Sequence, residues 1–232
     1  MIPEGCSLRP FDSEMLGRPV WYLEDPRQAA DAVVAARADG VGLIFHRGEG
    51  GSEQPLAGAG FRAVETLVTL VATLPVGTMA LPNGCRLGQR QDGDAVEAIA
   101  RAAFRSDRWH TDPAIPDEKA HAFKGVWARN DLEGRAAATL VTVAEDGTVS
   151  GFNALLARDD DLIIDLIAVA PQYQGKGMGR LLVHAALAYG AGRYRTIRVG
   201  TQAANTASLR LYRSMGFEEM SRAVTWHWTP PD

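Results

Sequence analysis

Apolar residues along this chain recur with two distinct periods. In "RAAATLVTVAE", "TVSGFNALLAR" and "LIIDLIAVA" they are consecutive or alternate and are rich in β-branched types, which predicts three successive strands. Asp146-Gly147 and the aspartates at 159–161 mark the turns between them. Shorter runs, "SLRPF", "PVWYLE", "VGLIFHR", "CRLGQ", "RTIRVGT" and "FEEMSRAVTWHW", predict further strands. The stretch "SEQPLAGAGFRAVETLVTLVATL" passes from a short helix or turn into a long strand. Helical spacing takes over in "DPRQAADAVVAARADG", where an aspartate cap, a first-turn proline and Gly40 bracket an alanine-rich body. It returns over residues 92–104, in "DEKAHAFKGVWARND", after the glycines near 177 as far as about residue 191, and in "NTASLRLYRSMG". Such alternation predicts a mixed α/β fold with a mostly antiparallel sheet.

The linker "PVGTMALPNG" interrupts this pattern with prolines and glycines and predicts a boundary between a smaller unit, residues 1–80, and a larger one, residues 84–232. A faint echo joins them. "LAGAGFRAVETLVTL" in the first and "YRSMGFEEMSRAVTW" in the second both run through Gly-Phe and an acidic residue into alternation, either by chance or because the first unit is a truncated copy of the second.

Between the run "LIIDLIAVA" and the following helix stands "PQYQGKGMGR". Glycines at the mouth of a helix cost backbone entropy, so another requirement must favour them. The first amides of a helix lack internal partners and carry partial positive charge, which makes strand, glycine loop and helix an anion cradle. Gly175, Gly177 and Gly179 let the backbone pass close to a phosphate, and Lys176 and Arg180 can add counter-charge. No Ser or Thr follows the lysine, so a magnesium-binding phosphate loop is excluded. The loop also comes late, after antiparallel-type strands, which does not suit a dinucleotide fingerprint.

"LIAVAPQYQGKGMG", with "NTASLRLYRSMGF" some way downstream, resembles the signature of the GNAT family of N-acetyltransferases. The resemblance implies a mixed sheet whose splayed central strands hold acetyl-CoA as cosubstrate. It places the pyrophosphate on Gln174, Gly175, Lys176, Gly177, Met178, Gly179 and Arg180, and the pantetheine arm along Leu166, Ile167, Ala168 and Val169. Tyr212 falls where the family has its general acid, and Asn205 caps that helix while meeting the pantetheine. A phenol with an ordinary pKa near ~10 is protonated at neutral pH and can donate to a departing thiolate. The oxyanion of the tetrahedral stage would meet an amide near Ile167 or Ala168. No nucleophile is needed for direct attack, and neither Cys6 nor Cys85 lies near the motif in sequence.

The base is less marked. Glu65, acidic within a strand-prone run, and Asp165, within the central strand, are the candidates, with a solvent-facing position the alternative for Glu65. Several stretches, "FDSEMLGRPV", "AGFRAVE", "AAFRSDRWHTDP" and "TQAANTASLRLYRSMGFEE", are similar to acetyltransferases of dTDP-linked 4-amino-4,6-dideoxy sugars. That similarity maps the acid to Tyr212 and a water-linked glutamate to Glu65, and implies a partial GNAT-like first unit. Arg105, Arg108, Trp109 and His110, in a loop-like segment, are the candidate contacts to such an acceptor. A peptide or other small amine as acceptor, and a CoA-binding domain without catalysis, stay open.

Composition narrows the setting. A net charge of -4 argues against a nucleic-acid coat. The opening "MIPEGCSLRP" has neither the basic nor the apolar part of a signal peptide, and no apolar run is of bilayer length. With two distant cysteines, the expectation is a cytoplasmic protein without disulfides. His110 and His121 have no companion ligands in register, so no metal is expected; His46, His184 and His227 stand singly. Homodimerisation is a possibility that no sequence feature marks.

Overall fold

A computed structural model describes residues 2–51 and 53–231; Met1, Ser52 and Asp232 lie outside the described residues. The first part of the chain forms β1 (Cys6–Leu8), α1 (Pro10–Leu16), β2 (Val20–Leu23), α2 (Ala29–Ala38), β3 (Leu43–Gly48), α3 (Glu53–Gly58) and β4 (Arg62–Thr73). The second forms β5 (Cys85–Leu87), α4 (Gly93–Ala103), α5 (Asp117–Asn130), β6 (Ala138–Val143), β7 (Val149–Arg158), β8 (Asp161–Val169), α6 (Met178–Gly190), β9 (Thr196–Gln202), α7 (Thr206–Arg213) and β10 (Glu218–Trp228). One expected strand is cut short. "SLRPF" stops at Leu8 because Pro10, with its fixed φ and no N–H, opens the first turn of α1, which Gly17 closes at φ 74°.

All ten strands join in one sheet of order β1-β2-β3-β10-β4-β9-β8-β7-β6-β5. The predicted boundary at residues 80–84 therefore separates two stretches of chain that interleave in space: β10 lies between β3 and β4, and β4 between β10 and β9. Among the described residues only β2·β3 and β8·β9 are parallel.

The faint echo acquires a geometry. The path β2-α2-β3-α3-β4 repeats as β8-α6-β9-α7-β10. At a constant spacing, Gly60 corresponds to Gly216, both left-handed at φ 86° and 84°. The Phe61 amide donates to Leu56 O and the Phe217 amide to Tyr212 O. Each long strand carries one residue outside the register, Val64 in β4 and Met220 in β10, and Leu67 faces Ala223 at the centre. These are the marks of a pseudo-two-fold axis through the β4·β10 pair, with each copy completed by the other copy's last strand.

Alternation assigns the faces. Towards α2 and α6 point Ile44, Trp228, Val68, Leu70, Ile164 and Val199. Towards α1, α4 and α5 point Leu43, Phe45, Phe152, Ala154 and Leu166. Phe11 of α1 meets Phe123 of α5 edge-on at 5.0 Å, so the first copy helps to wall the second face. Among the described residues no helix is long and apolar enough to cross a membrane.

Candidate active site

β8 and β9 pair from Asp161·Thr196 to Ile164·Val199 and then part. The cause is a bulge: Leu155 of β7 faces Ile164 while Ala154 faces Leu166, leaving Asp165 unmatched and bending β8 away. β7 pairs with β8 as far as Val169, and β4 with β9 as far as Gln202, so each side of the split is hydrogen-bonded to an outer strand. The Ala170 amide donates to Ser150 O at 2.9 Å. Antiparallel alternation then turns the Ala168 amide into the β7 ladder and the Ile167 and Val169 amides into the split. Of the two amides expected from sequence, that of Ile167 is the one facing the opening.

The glycine loop sits at the end of this split, where Gln174 Nε2 donates to Val169 O at 3.1 Å. Gly175 and Gly177 have φ of 74° and 82°, and Gly177 is the N-cap of α6. Nothing stands within 4 Å of a Cβ placed on either, so the requirement there is conformational. At Gly179 such a Cβ would touch Leu211 Cδ2 at 3.4 Å, an ordinary contact. The amides of residues 175–180 meet no acceptor among the described residues. Lys176 Nζ lies 5.5 Å from the Tyr173 ring centroid and Arg180 donates to Ser214 Oγ at 2.8 Å, both at the surface. Met178 approaches Ser150 Oγ through its sulfur at 3.9 Å.

On the α1–α4–α5 side a cavity of about 820 Å³ reaches through the split to α7. Tyr212 lines it, 2% exposed, its ring against Phe217 and its hydroxyl without a partner among the described residues. Burial pushes this phenol above its ordinary pKa, so it stays protonated. Asn205 lines the same wall and accepts from the Ser208 amide at 3.1 Å as the N-cap of α7. Across the cavity, Glu65 is not a solvent-facing strand residue: its side chain is 3% exposed. Its Oε1 accepts from Arg47 at 2.8 Å and Thr225 at 3.1 Å, and its Oε2 from Gln202 at 3.0 Å. Arg47, Thr225 and Gln202 escaped the sequence reading because they come from β3, β10 and β9 and meet only through the interleaved strand order. Asp165, at the bulge, accepts from Trp127 Nε1 at 2.8 Å and from Arg135. Asp131 lies behind it with its carboxyl buried and held up in pKa by desolvation and by the Asp165 charge.

The expected acceptor contacts separate. Arg105 is exposed on the cavity lip, Nη1 bonded to the carbonyls of Arg101 and Phe104. Arg108 lines the cavity but is clamped: 4.0 Å from the ring centroids of Phe45 and Trp109, 2.7 Å from Asp12 and 3.4 Å from His227 Nε2. Trp109 is 2% exposed and packs on Phe123 at 4.2 Å, forming wall rather than contact surface. His110 does not line the cavity; its buried ring is turned inward onto Asp107 at 2.9 Å because that carboxylate also caps the turn at the Trp109 amide. His227, unremarkable in sequence, is fully buried. Its Nδ1 meets Asp112 at 2.7 Å, and desolvation, aided by Arg108 and opposed by Asp112, depresses its pKa to about 4. It is neutral at pH 7 and holds Arg108 in place.

The cysteine expectation needs one correction. Cys85 lies against α6, its Sγ 4.0 Å from Leu181 O, because β5 and β6 run beneath that helix. Burial lifts its thiol to about 11, so no thiolate forms beside the loop. Rings of His110 and His121 stand 5.1 Å apart; His46 bonds Leu23 O; His184 is exposed.

The model of the acetyltransferase (GNAT) family matches residues 98–217. A spore coat polysaccharide biosynthesis protein of Bacillus subtilis is 35% identical over 62% of this chain, which spans 50% of that relative's length. A dTDP-fucosamine acetyltransferase of Escherichia coli is 33% identical over 71% of this chain and 70% of that protein. The crystal structure of a GCN5-related N-acetyltransferase from Sphaerobacter thermophilus shares the fold, with a TM-score of 0.62 and 18% identity over 98% of this chain and 77% of that one.

Proposed function

Because this chain belongs to the acetyltransferase (GNAT) family, we propose that it passes the acetyl group of acetyl-CoA directly to a primary amine, the 4-amino group of a dTDP-4-amino-4,6-dideoxy sugar. One observation carries the chemical part. The unpartnered Tyr212 hydroxyl, the Ile167 amide and the buried Glu65 carboxylate line one cavity at the strand split.

In this reading the amides of residues 175–180 hold the pyrophosphate, Lys176 and Arg180 add charge at the rim, and the pantetheine arm follows residues 166–169 past Asn205. The acceptor enters from the α4–α5 side. Glu65 retains a lone pair on Oε2, which takes the ammonium proton directly or through a water. The amine attacks the thioester carbonyl, whose developing negative oxygen is met by the Ile167 amide. The C–S bond breaks, Tyr212 donates its proton to the sulfur, and the nitrogen, now part of the amide, gives up its second proton to solvent. Burial, which disfavours the phenolate, keeps Tyr212 a donor and favours its return to the phenol form.

The acceptor rests on the named relatives and on a cavity large enough for more than a small amine. Thiol release from acetyl-CoA, measured with a dTDP-4-amino-4,6-dideoxy sugar, simple amines and lysine peptides, tests both parts. The nucleotide sugar should give the highest kcat/KM, and Tyr212→Phe should lower kcat by about a hundredfold or more with CoA binding retained. Glu65→Gln should lower the rate and move activity to higher pH. An unchanged rate in Tyr212→Phe removes the phenol from the acid role, and preference for peptides redirects the acceptor.

A further inference from the structure

Among the described residues, the cavity holds one cation that is fixed in place yet has neither a carboxylate partner nor a hydrogen bond on its guanidinium. Arg47 is paired with Glu65, Arg108 with Asp12, Lys124 with Asp107 and Arg198 with Asp161. Arg105 is turned back on main-chain carbonyls. Arg9, a lining residue, has no carboxylate partner among the described residues, yet it is not loose. Its amide donates to Val20 O at 2.8 Å, and its carbonyl accepts from Ser13 Oγ at 2.7 Å, which fixes its Cα at the start of α1. Its guanidinium lies 4.7 Å above the Tyr22 ring and 5.9 Å from that of Phe45. Those rings are neighbours in the β2·β3 register, with centroids 5.1 Å apart.

A guanidinium held over a ring face by a cation–π contact spends none of its N–H donors on a carboxylate, so they stay available to a ligand. The carboxylate that could quench it, Asp12, is one helical turn on and is held at 2.7 Å by Arg108. Arg108 is in turn fixed by two aromatic faces and by neutral His227. Arg158 also lines the cavity without a partner among the described residues, but no ring or hydrogen bond orders it.

We propose that Arg9, stacked on Tyr22 beside Phe45, is the anion-binding residue of the acceptor site and grips the diphosphate of the nucleotide-linked amine. This rests on the acceptor reading above. The first copy then supplies the grip on the acceptor's nucleotide end while the second supplies the grip on the cofactor. A fork of charge-assisted hydrogen bonds to phosphoryl oxygens accounts for about a tenfold or larger gain in affinity.

The test is calorimetric titration of dTDP, and separately of inorganic pyrophosphate, into the full chain saturated with CoA, so that the glycine loop is occupied. Arg9→Ala should weaken dTDP about tenfold, Arg9→Lys should fall between the two, and Arg158→Ala should match the native protein. In turnover, Arg9→Ala should raise KM for the acceptor and leave KM for acetyl-CoA as it is. Equal dTDP affinity in the native and Arg9→Ala proteins overturns the Arg9 assignment alone, as does an equal loss in Arg158→Ala. Failure of the native protein to bind dTDP overturns the nucleotide-sugar reading and this inference with it. Binding of dTDP but not of pyrophosphate, unaltered in Arg9→Ala, would place recognition on the nucleoside and reject the diphosphate grip.

Discussion

Leu56 and Tyr212 occupy the same place in the two copies, each accepting the amide of the Gly-Phe turn that follows its helix. Both are buried, and only one can give up a proton. The loops before α2 and α6 differ in the same sense. In the first copy "EDPRQ" forms a 3-10 turn, Pro26–Gln28, that leads into α2 and is capped by its own side chain: Asp25 accepts from the Arg27 amide at 3.0 Å, and its carboxylate is held down to about 2 by hydrogen bonds from Arg27. In the second, left-handed glycines leave the amides open. A side-chain anion caps the first turn, and the glycine loop has no such internal anion among the described residues. The two halves thus share the path of the chain and differ in chemistry: the first presents Arg47 and Glu65 to the shared cavity, and the second presents Tyr212 there and carries the glycine loop.

The contrast continues along the paired strands, where His227 of β10 stands at the position that Val71 holds in β4. Its depressed pKa gives a signed expectation. The unfolded chain takes up this proton near pH ~6.5 and the folded chain only near about 4, so stability is present above that window and is lost as pH falls through it, by up to about 3 kcal/mol. Urea midpoints at pH 7 and 4.5 should show the loss in the native protein. His227→Gln should be less stable at pH 7 and flatter over the window; an unchanged slope would assign the loss to carboxylates alone.

Glycine substitutions give a smaller and more selective effect. Gly60→Ala and Gly216→Ala place Cβ on left-handed residues of equivalent turns and should lower stability alike, by about 1–2 kcal/mol. Gly177→Ala meets the same strain in an exposed loop. It should weaken CoA about tenfold by isothermal titration, an effect that Gly60→Ala should not reproduce. Unequal stability losses at positions 60 and 216 would argue against the pseudo-symmetry.

Much of this was legible beforehand where the signal is local. The strands from β6 to β9, the caps at Asp25 and Asn205 and the glycine loop follow from neighbouring residues, and the loop with the downstream "NTASLRLYRSMGF" carried the family resemblance. The sheet order was not legible, because two distant strands exchange partners and no local pattern records it. Glu65 could be named but not placed for the same reason: its burial depends on Arg47, Gln202 and Thr225 from three other strands. The stretch at residues 105–110 was legible in part: Arg105, Arg108 and Trp109 line the cavity, whereas Asp107 turns His110 inward and Asp12 secures Arg108, pairings that no local pattern records.

Amide chemical shifts of the 15N-labelled, deuterated chain during titration with CoA would compare the two cradles within one sample. The loop geometry predicts saturable shifts at residues 175–180 and at Ile167 and Val169, with Arg27 and Gln28 unmoved. Saturation centred on residues 25–28, or no saturable shift at residues 175–180, would contradict a cofactor held by the second copy's open amides.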